Sequence, residues 1–177
     1  MSQQSYITLN NSVKIPQFGL GVYLVDGDDT TEKTVVEALK LGYCHIDTAH
    51  AYFNERGVEN VLKIAKIKPA VCQSECHPYH TQQKLREILA PHKSLVEAYY
   101  PIGHGDKNLL NEAIFTKLAK KYNKTNVQII LRWHIQYGNI VIPKTTNPVH
   151  LKENIKIFDF ELTPEEMKTN FILYNVM

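Results

Sequence analysis

The chain has 177 residues, 44% of them hydrophobic and 21% charged, with a formal net charge of +2. That composition suits one globular domain with its own core, and so small a charge argues against nucleic acid or an anionic membrane as partner. No apolar run approaches the roughly 18 residues that cross a bilayer, and no basic-then-apolar secretory signal opens the chain. Three cysteines, Cys44, Cys72 and Cys76, make an odd count, which disfavours a disulfide framework and points to a reducing, cytoplasmic setting.

Residues 6–9 and 13–16 flank Asn10-Asn11-Ser12 and predict a β-hairpin, the asparagine pair tolerating the positive φ of a tight turn. Phe18-Gly19-Leu20-Gly21-Val22-Tyr23 predicts an apolar strand whose glycines admit close approach of another group. Thr31 to Leu41 is amphipathic and stops at Gly42. A strand over 43–48 follows, then a helix from Glu55 to Lys66 with Val58, Val61, Leu62 and Ala65 on one side.

Further strands are predicted over 70–75, 95–100 and 140–144, and helices over 81–89 (Thr81 as N-cap), 111–122, 125–137, 148–158 and from Pro164 behind Thr163. The lysines Lys117, Lys120, Lys121 and Lys124 read as a solvated helix face. Strands alternating with helices predict a parallel sheet with right-handed crossovers. Five core strands follow the hairpin, fewer than the eight of a closed (β/α) barrel, which takes about 250 residues.

Chemistry concentrates just past the strand over 43–48, where Asp47 and Tyr52 put a carboxylate and a phenol five residues apart. The carboxyl ends of parallel strands are where α/β enzymes place their sites. Cys72, Cys76, His77 and His80 have a spacing that suggests zinc. On a strand, however, the cysteines face one way and His77 the other, so no metal site is expected.

Phe18-Gly19-Leu20-Gly21, Ile46-Asp47-Thr48-Ala49 with Tyr52 and Asn54-Glu55, and Gln73-x-Glu75-x-His77-Pro78-Tyr79 form an ordered set. Leu131-Arg132-Trp133, Ile142-Pro143-Lys144, Asn147-Pro148 and Glu153-Asn154 continue it. Together they resemble the aldo-keto reductases, in that family's order and in two blocks, roughly 5–60 and 62–168. The resemblance implies a (β/α)8 TIM barrel, here incomplete, with an N-terminal hairpin. It implies NADPH-dependent reduction of small aldehydes and ketones.

In the family an aspartate, a tyrosine, a lysine and a histidine act together, the tyrosine giving a proton to the carbonyl oxygen. The resemblance carries two of these over, as Asp47 and Tyr52. It gives the cofactor Gln73 for the nicotinamide amide and Tyr99 for stacking on the ring. Lys144, Thr145 and His150 fall at the adenosine 2′-phosphate, and Glu153 and Asn154 at the adenine end. Tyr100 stands where the family has serine. His150 stands where it has arginine, so NADH is the alternative cofactor.

The lysine and histidine have no counterpart, and neither do the third, fourth and fifth strands. The two blocks join near residues 58–66, inside the predicted helix, as if about three βα units had been removed from a single domain. Two expectations stand side by side: a carbonyl reductase, and a truncated, non-catalytic relative that binds NADP(H). Removing three strands from a barrel exposes two edges, through which copies could self-associate.

Overall fold

The computed structural model describes the backbone of residues 5–21, 28–47 and 70–172, and the side chains within these except 28–32, 46–47 and 169–172. Tyr52, the helix predicted over 55–66 and the junction near 58–66 lie outside the described residues.

Strands β1 (Tyr6–Thr8) and β2 (Lys14–Pro16) form the expected antiparallel hairpin, with Ile7 opposite Ile15. Its turn differs from expectation: Ser12 carries the positive φ, 68°, instead of an asparagine. The reason lies in the local bonding, since Asn11 is engaged through Oδ1 by the Val13 amide and the Ser12 amide donates to Leu9. The hairpin is tied to the body by Asn10 Nδ2, which donates to the His92 carbonyl. Gln17 Nε2, just beyond it, donates to the carbonyls of Ile135 and Asn139.

Among the described residues five short strands follow: β3 (Leu20–Gly21), β4 (Ile46–Asp47), β5 (Val71–Glu75), β6 (Leu95–Tyr99) and β7 (Ile140–Val141). All their pairings are parallel. β3 pairs with β4, β5 with β6 and β6 with β7, while bridges Phe18 to Val141 and Gly21 to Lys144 link β3 to β7. The order is therefore β4-β3-β7-β6-β5. In a flat sheet β4 and β6 would stand three spacings apart, about 14 Å. Yet His45 Nε2, beside β4, lies 3.5 Å from Oε1 of Glu97 on β6. The sheet is curled so that these side chains meet on its concave face.

Its convex face is apolar and covered by helices, as strand alternation requires. Phe18, Leu20 and Val141 pack with Ala38 and Tyr43 beside α1 (Asp28–Leu41), with Leu131 and Ile135 of α5 (Asn126–Gln136), and with Leu151 of α6 (Pro148–Asn154). Val96, Ala98 and Cys76 pack on Leu89 of α2 (Gln83–Leu89). The predicted helix over 111–122 is α4 (Ala113–Tyr122), and an unpredicted short helix, α3 (Lys107–Leu110), capped by Asp106, precedes it. α7 (Pro164–Ile172) ends the described chain.

Capping decided several boundaries. Thr125 opens α5 with a full capping box to Gln128, and Thr163 receives the Glu166 amide while Glu166 Oε2 receives the Thr163 amide. Thr81 does not cap α2. Its hydroxyl is buried, and Gln82, at φ 56°, is the residue before the helix. Trp133 is fully buried and stacks on Tyr137 at 5.0 Å, a packing role. Lys117 and Lys120 are exposed, but Lys121 and Lys124 reach Glu166 and Asp159 at 2.8 and 2.7 Å.

His134, fully buried in α5, is the polar pin of the helix layer. The Pro101 carbonyl can only accept, so Nε2 carries the proton and donates to it at 2.9 Å, and Nδ1 accepts from Asn139 Nδ2 at 2.9 Å. Burial, then the nearby His77 and Arg86, outweighs the Pro101 bond and pushes its pKa down to about 3. The unfolded chain, near 6.5, thus takes up the proton first. Stability should be unaffected by this group above about pH 6.5 and fall below it, by about 1.4 kcal/mol per pH unit. Urea unfolding from pH 7 to 5 checks this: His134→Gln should show a shallower pH slope, and an unchanged slope would refute the assignment.

Candidate functional site

Glycine occupies two successive concave positions at β3, Gly19 just before it and Gly21 in it, and both are needed. A Cβ on Gly19 would lie 2.9 Å from the His45 ring, and one on Gly21 would lie 2.9 Å from the Ile142 carbonyl oxygen. The predicted close approach is therefore met on both sides, by a side chain and by a backbone. Across this bare strand His45 leans from β4 to Glu97. Glu97 is 8% exposed, and its other oxygen, Oε2, accepts from Gln73 Nε2 at 3.0 Å. Gln73 and Glu97 are register partners on β5 and β6. A polar chain, Gln73–Glu97–His45, thus crosses the concave face.

Above it lie the carboxyl ends of the strands. Asp47, Gly21 and Lys144 occupy one row, since Gly21 is the register partner of Asp47 on one side and bridges Lys144 on the other. Glu75 and Tyr99 form the corresponding row on β5 and β6. The sequence-predicted residues Asp47, Gln73, Tyr99 and Lys144 therefore share one end of one sheet. Lys144 and His150 are exposed, Thr145 and Glu153 are half-buried and Asn154 is buried. Thr145 Oγ1 accepts from the Asn147 amide, and Asn147 Oδ1 from that of Val149, which sets the start of α6 carrying His150, Glu153 and Asn154. Glu153 also has a structural role, its carbonyl accepting from Gln128 Nε2. Next to Thr145, Thr146 and Pro148 line a cleft of about 210 Å³ with Lys33, Thr34 and Glu37 of α1. A larger cleft, about 360 Å³, lies at the opposite end, between the hairpin and residues 93–96.

The loop after β6 is strained where the sequence departs from its expected serine. Tyr100 has φ 47° and His104 φ 56°, in the left-handed region that side chains usually avoid. Their rings compensate with an edge-to-face ladder: Tyr99 to Tyr100 at 5.1 Å and Tyr100 to His104 at 4.5 Å.

Beyond β5, Cys76 packs inward beside Asn139, and burial pushes its thiol up to about 12. His77 turns to Glu75, 3.3 Å away. Burial holds His77 below the ordinary imidazole value, against the pull of that carboxylate. Among the described residues no three His, Cys, Asp or Glu side chains converge as metal ligands. No helix among them is long and apolar enough to cross a membrane.

Glu97 and His45 were not singled out in the sequence. A signal existed: a charged residue in the otherwise apolar run Leu95-Val96-Glu97-Ala98-Tyr99 has to find a partner, because an unpaired buried charge is costly.

Residues 53–170 match the Aldo/keto reductase family. An aldo-keto reductase of Mycolicibacterium smegmatis is 30% identical over 251 positions, covering 91% of this chain and 90% of the relative. The 9,11-endoperoxide prostaglandin H2 reductase of Trypanosoma cruzi is 28% identical over 251 positions, covering 92% and 89%. Since this chain has 177 residues, at least 74 of those 251 positions have no residue of it opposite them. Aldo-keto reductase family 1 member D1 of Rattus norvegicus is 48% identical over 128 residues, which cover 66% of this chain but only 39% of that protein. Among solved structures, an aldo/keto reductase from Brucella melitensis superposes with a TM-score of 0.88 at 25% identity, covering 97% of this chain and all of the other. A Gox0644 variant crystallised with NADPH shares the fold, with a TM-score of 0.88 at 24% identity over 96% of this chain and 93% of its own.

The contact between Gly19 and His45 gives a direct test. Gly19→Ala should lose about 1–3 kcal/mol in urea unfolding, because the neighbouring His45 backbone cannot retreat. Wild-type stability in that variant would refute so close an approach.

Proposed function

Because the chain belongs to the aldo/keto reductase family, we propose that it binds NADP(H) at the carboxyl ends of its five parallel strands. Its reductase site there holds half of the family's catalytic set. The observation that carries this reading is the row Asp47–Gly21–Lys144, with Gln73 and Tyr99 on the adjoining strands. It brings residues scattered over about a hundred positions of sequence to one end of one sheet. The residues fit the cofactor: Gln73 for the carboxamide, Tyr99 for the ring, Lys144, Thr145 and His150 for the 2′-phosphate, Glu153 and Asn154 for the adenine. The bound cofactor supplies the hydride that reduces a small aldehyde or ketone.

Asp47 and Tyr52 are the catalytic residues of this reading, with Tyr52 giving its proton to the carbonyl oxygen. A phenol has an ordinary pKa of about 10. Without the lysine that acidifies it and the histidine that orients the carbonyl, Tyr52 is a weak proton donor. We infer that this pair went with an internal segment of about 90 residues, three βα units at about 30 each, lost near residues 58–66 of the one domain. The alignment lengths support that inference.

NADPH titration followed by nicotinamide fluorescence should show binding. Oxidation of NADPH with a small aldehyde should run about 10²- to 10⁴-fold below a full-length relative, the usual worth of general acid catalysis. Turnover equal to the relative would refute the role given to the missing pair, and absent binding would refute the site. Intact mass is the control for the segment, since a chain about 90 residues longer would restore the lysine and histidine.

Cofactor choice is a separate test. His150 stands where the family has arginine, so the guanidinium fork onto the 2′-phosphate is absent there. NADPH should be preferred over NADH only weakly, within about tenfold, one charge-assisted bond fewer than with arginine. A preference of several hundredfold would contradict it.

A further inference from the structure

We propose that the cleft beside the hairpin, at the end of the sheet away from the strand carboxyl ends, binds a small organic oxyanion between Arg86 and Lys93. The proposal stands independently of the cofactor reading above.

The cleft measures about 360 Å³. At about 30 Å³ for each water-sized group, it has room for roughly a dozen non-hydrogen atoms. That is the size of a short-chain phosphate ester or a tricarboxylate. The hairpin wall is fixed in place, since Asn10 Nδ2 donates to the His92 carbonyl. Leu95 and Val96, at the start of β6, give the cleft an apolar lining. Two of the residues around it are cations, Arg86 and Lys93, and none is acidic. Among the described residues no carboxylate pairs with either, whereas Lys121 and Lys124 reach Glu166 and Asp159. Charge of one sign in a partly apolar concavity focuses its field on the space between and draws an anion there.

Arg86 is held ready for such a ligand. Nη1 donates to Asn139 Oδ1, Nη2 donates to the Tyr137 carbonyl at 2.6 Å, and the guanidinium lies 4.0 Å over the Tyr137 ring. A guanidinium carries five N–H groups, so this pinning fixes its plane and leaves donors over. Gly138, at φ 83°, keeps the group uncovered: a Cβ there would lie 3.7 Å from Nη2. An arginine fork matches the paired oxygens of phosphate and carboxylate, and fixing it beforehand lowers the ordering cost of binding. Lys93 supplies the second charge. It follows the turn Ala90–His92 at φ 54°, a conformation that glycine adopts most easily. A lysine there gives up backbone stability and sets an exposed ammonium at the cleft. Backbone strain of this kind collects at ligand sites.

Calorimetric titration with glycerol 3-phosphate and with citrate tests this, without nucleotide and at one ionic strength set by chloride. At least one of the two should bind the wild type saturably, and the tighter one names the group, phosphate or carboxylate, that the cleft takes. Lys93→Gly should weaken that binding about 3- to 10-fold, a modest loss because the ammonium is exposed. Its urea midpoint should stay at or above that of the wild type, since glycine adopts φ 54° without strain. Lys93→Arg should keep the binding. Arg86→Lys, which loses the fork, should weaken it about 10- to 100-fold. The proposal is overturned if neither anion binds the wild type, or if Lys93→Gly binds both as tightly. An anion that NADPH displaces and that Lys93→Gly retains lies at the strand carboxyl ends, which overturns the proposal and supports the cofactor reading. Anion binding that Lys93→Gly loses, in a protein that takes no NADPH, supports the proposal and sinks the cofactor reading.

Discussion

Strand β3 presents no side chain to the concave face, and that bareness is what the rest of the site depends on. Gly19 lets the His45 ring lie against the backbone, and Gly21 lets the Ile142 carbonyl do the same. With a methyl group at either position, β4 or β7 would be pushed away by several tenths of an ångström, and rows that now run level across three strands would break. Glycine costs conformational entropy in a strand. Here that cost is offset by curvature: the sheet bends tightly enough for a residue beside β4 to reach one on β6. The convex face supplies the opposing force, through the buried side chains of Phe18, Leu20 and Val141 under three helices.

That division of labour explains why a chain that covers only 39% of some relatives' length still superposes on whole family members. Each strand–helix unit buries its convex side chains against its own helix and the next, so much of the core is made locally. Phe18 packs on Tyr43 at 5.5 Å and edge-on to Phe158 at 6.3 Å. The Tyr43 hydroxyl, deep in the core, donates to the Leu151 carbonyl. These contacts join the first and last parts of the described chain and need nothing from the middle of a barrel. The concave side has no such independence, because its residues are partners across strands. Strands removed from that side would take chemistry with them before they took stability.

Much of this was legible in the sequence, and what was not has physical reasons. The alternation of strands and helices, the capping box at Thr125 and the N1 proline of α6 follow from local rules that the backbone cannot evade. Thr81 obeyed the same rule on paper. Tertiary packing overrode it by burying the hydroxyl and leaving Gln82 to start the helix in a left-handed conformation. Strand length was overestimated at β7, where a curled sheet keeps ladder pairing for only two residues. At the site, Gln73, Tyr99 and Lys144, which the resemblance gives to the cofactor, lie at one end of the sheet. It said nothing of Glu97 and His45, which lie 52 residues apart in sequence and meet only because of curvature.

The same curvature bears on what the surviving half of the site can do. A phenol becomes a competent acid at neutral pH only if its anion is stabilised where it forms, by a fixed positive group in a water-poor place. In the family a lysine on the third strand does this, supported by the aspartate carried over here as Asp47. Cations remain on the described face: Lys144 shares the row of Asp47, two strands away. In the proposed site Lys144 belongs to the cofactor's phosphate, and its exposure leaves its charge screened by water. A group committed to a phosphate and hydrated would meet neither condition for acidifying a phenol. In the proposed site Gln73 and Tyr99 on adjoining strands would hold the nicotinamide ring, and proton transfer there would be slow without a fixed positive charge beside the phenol.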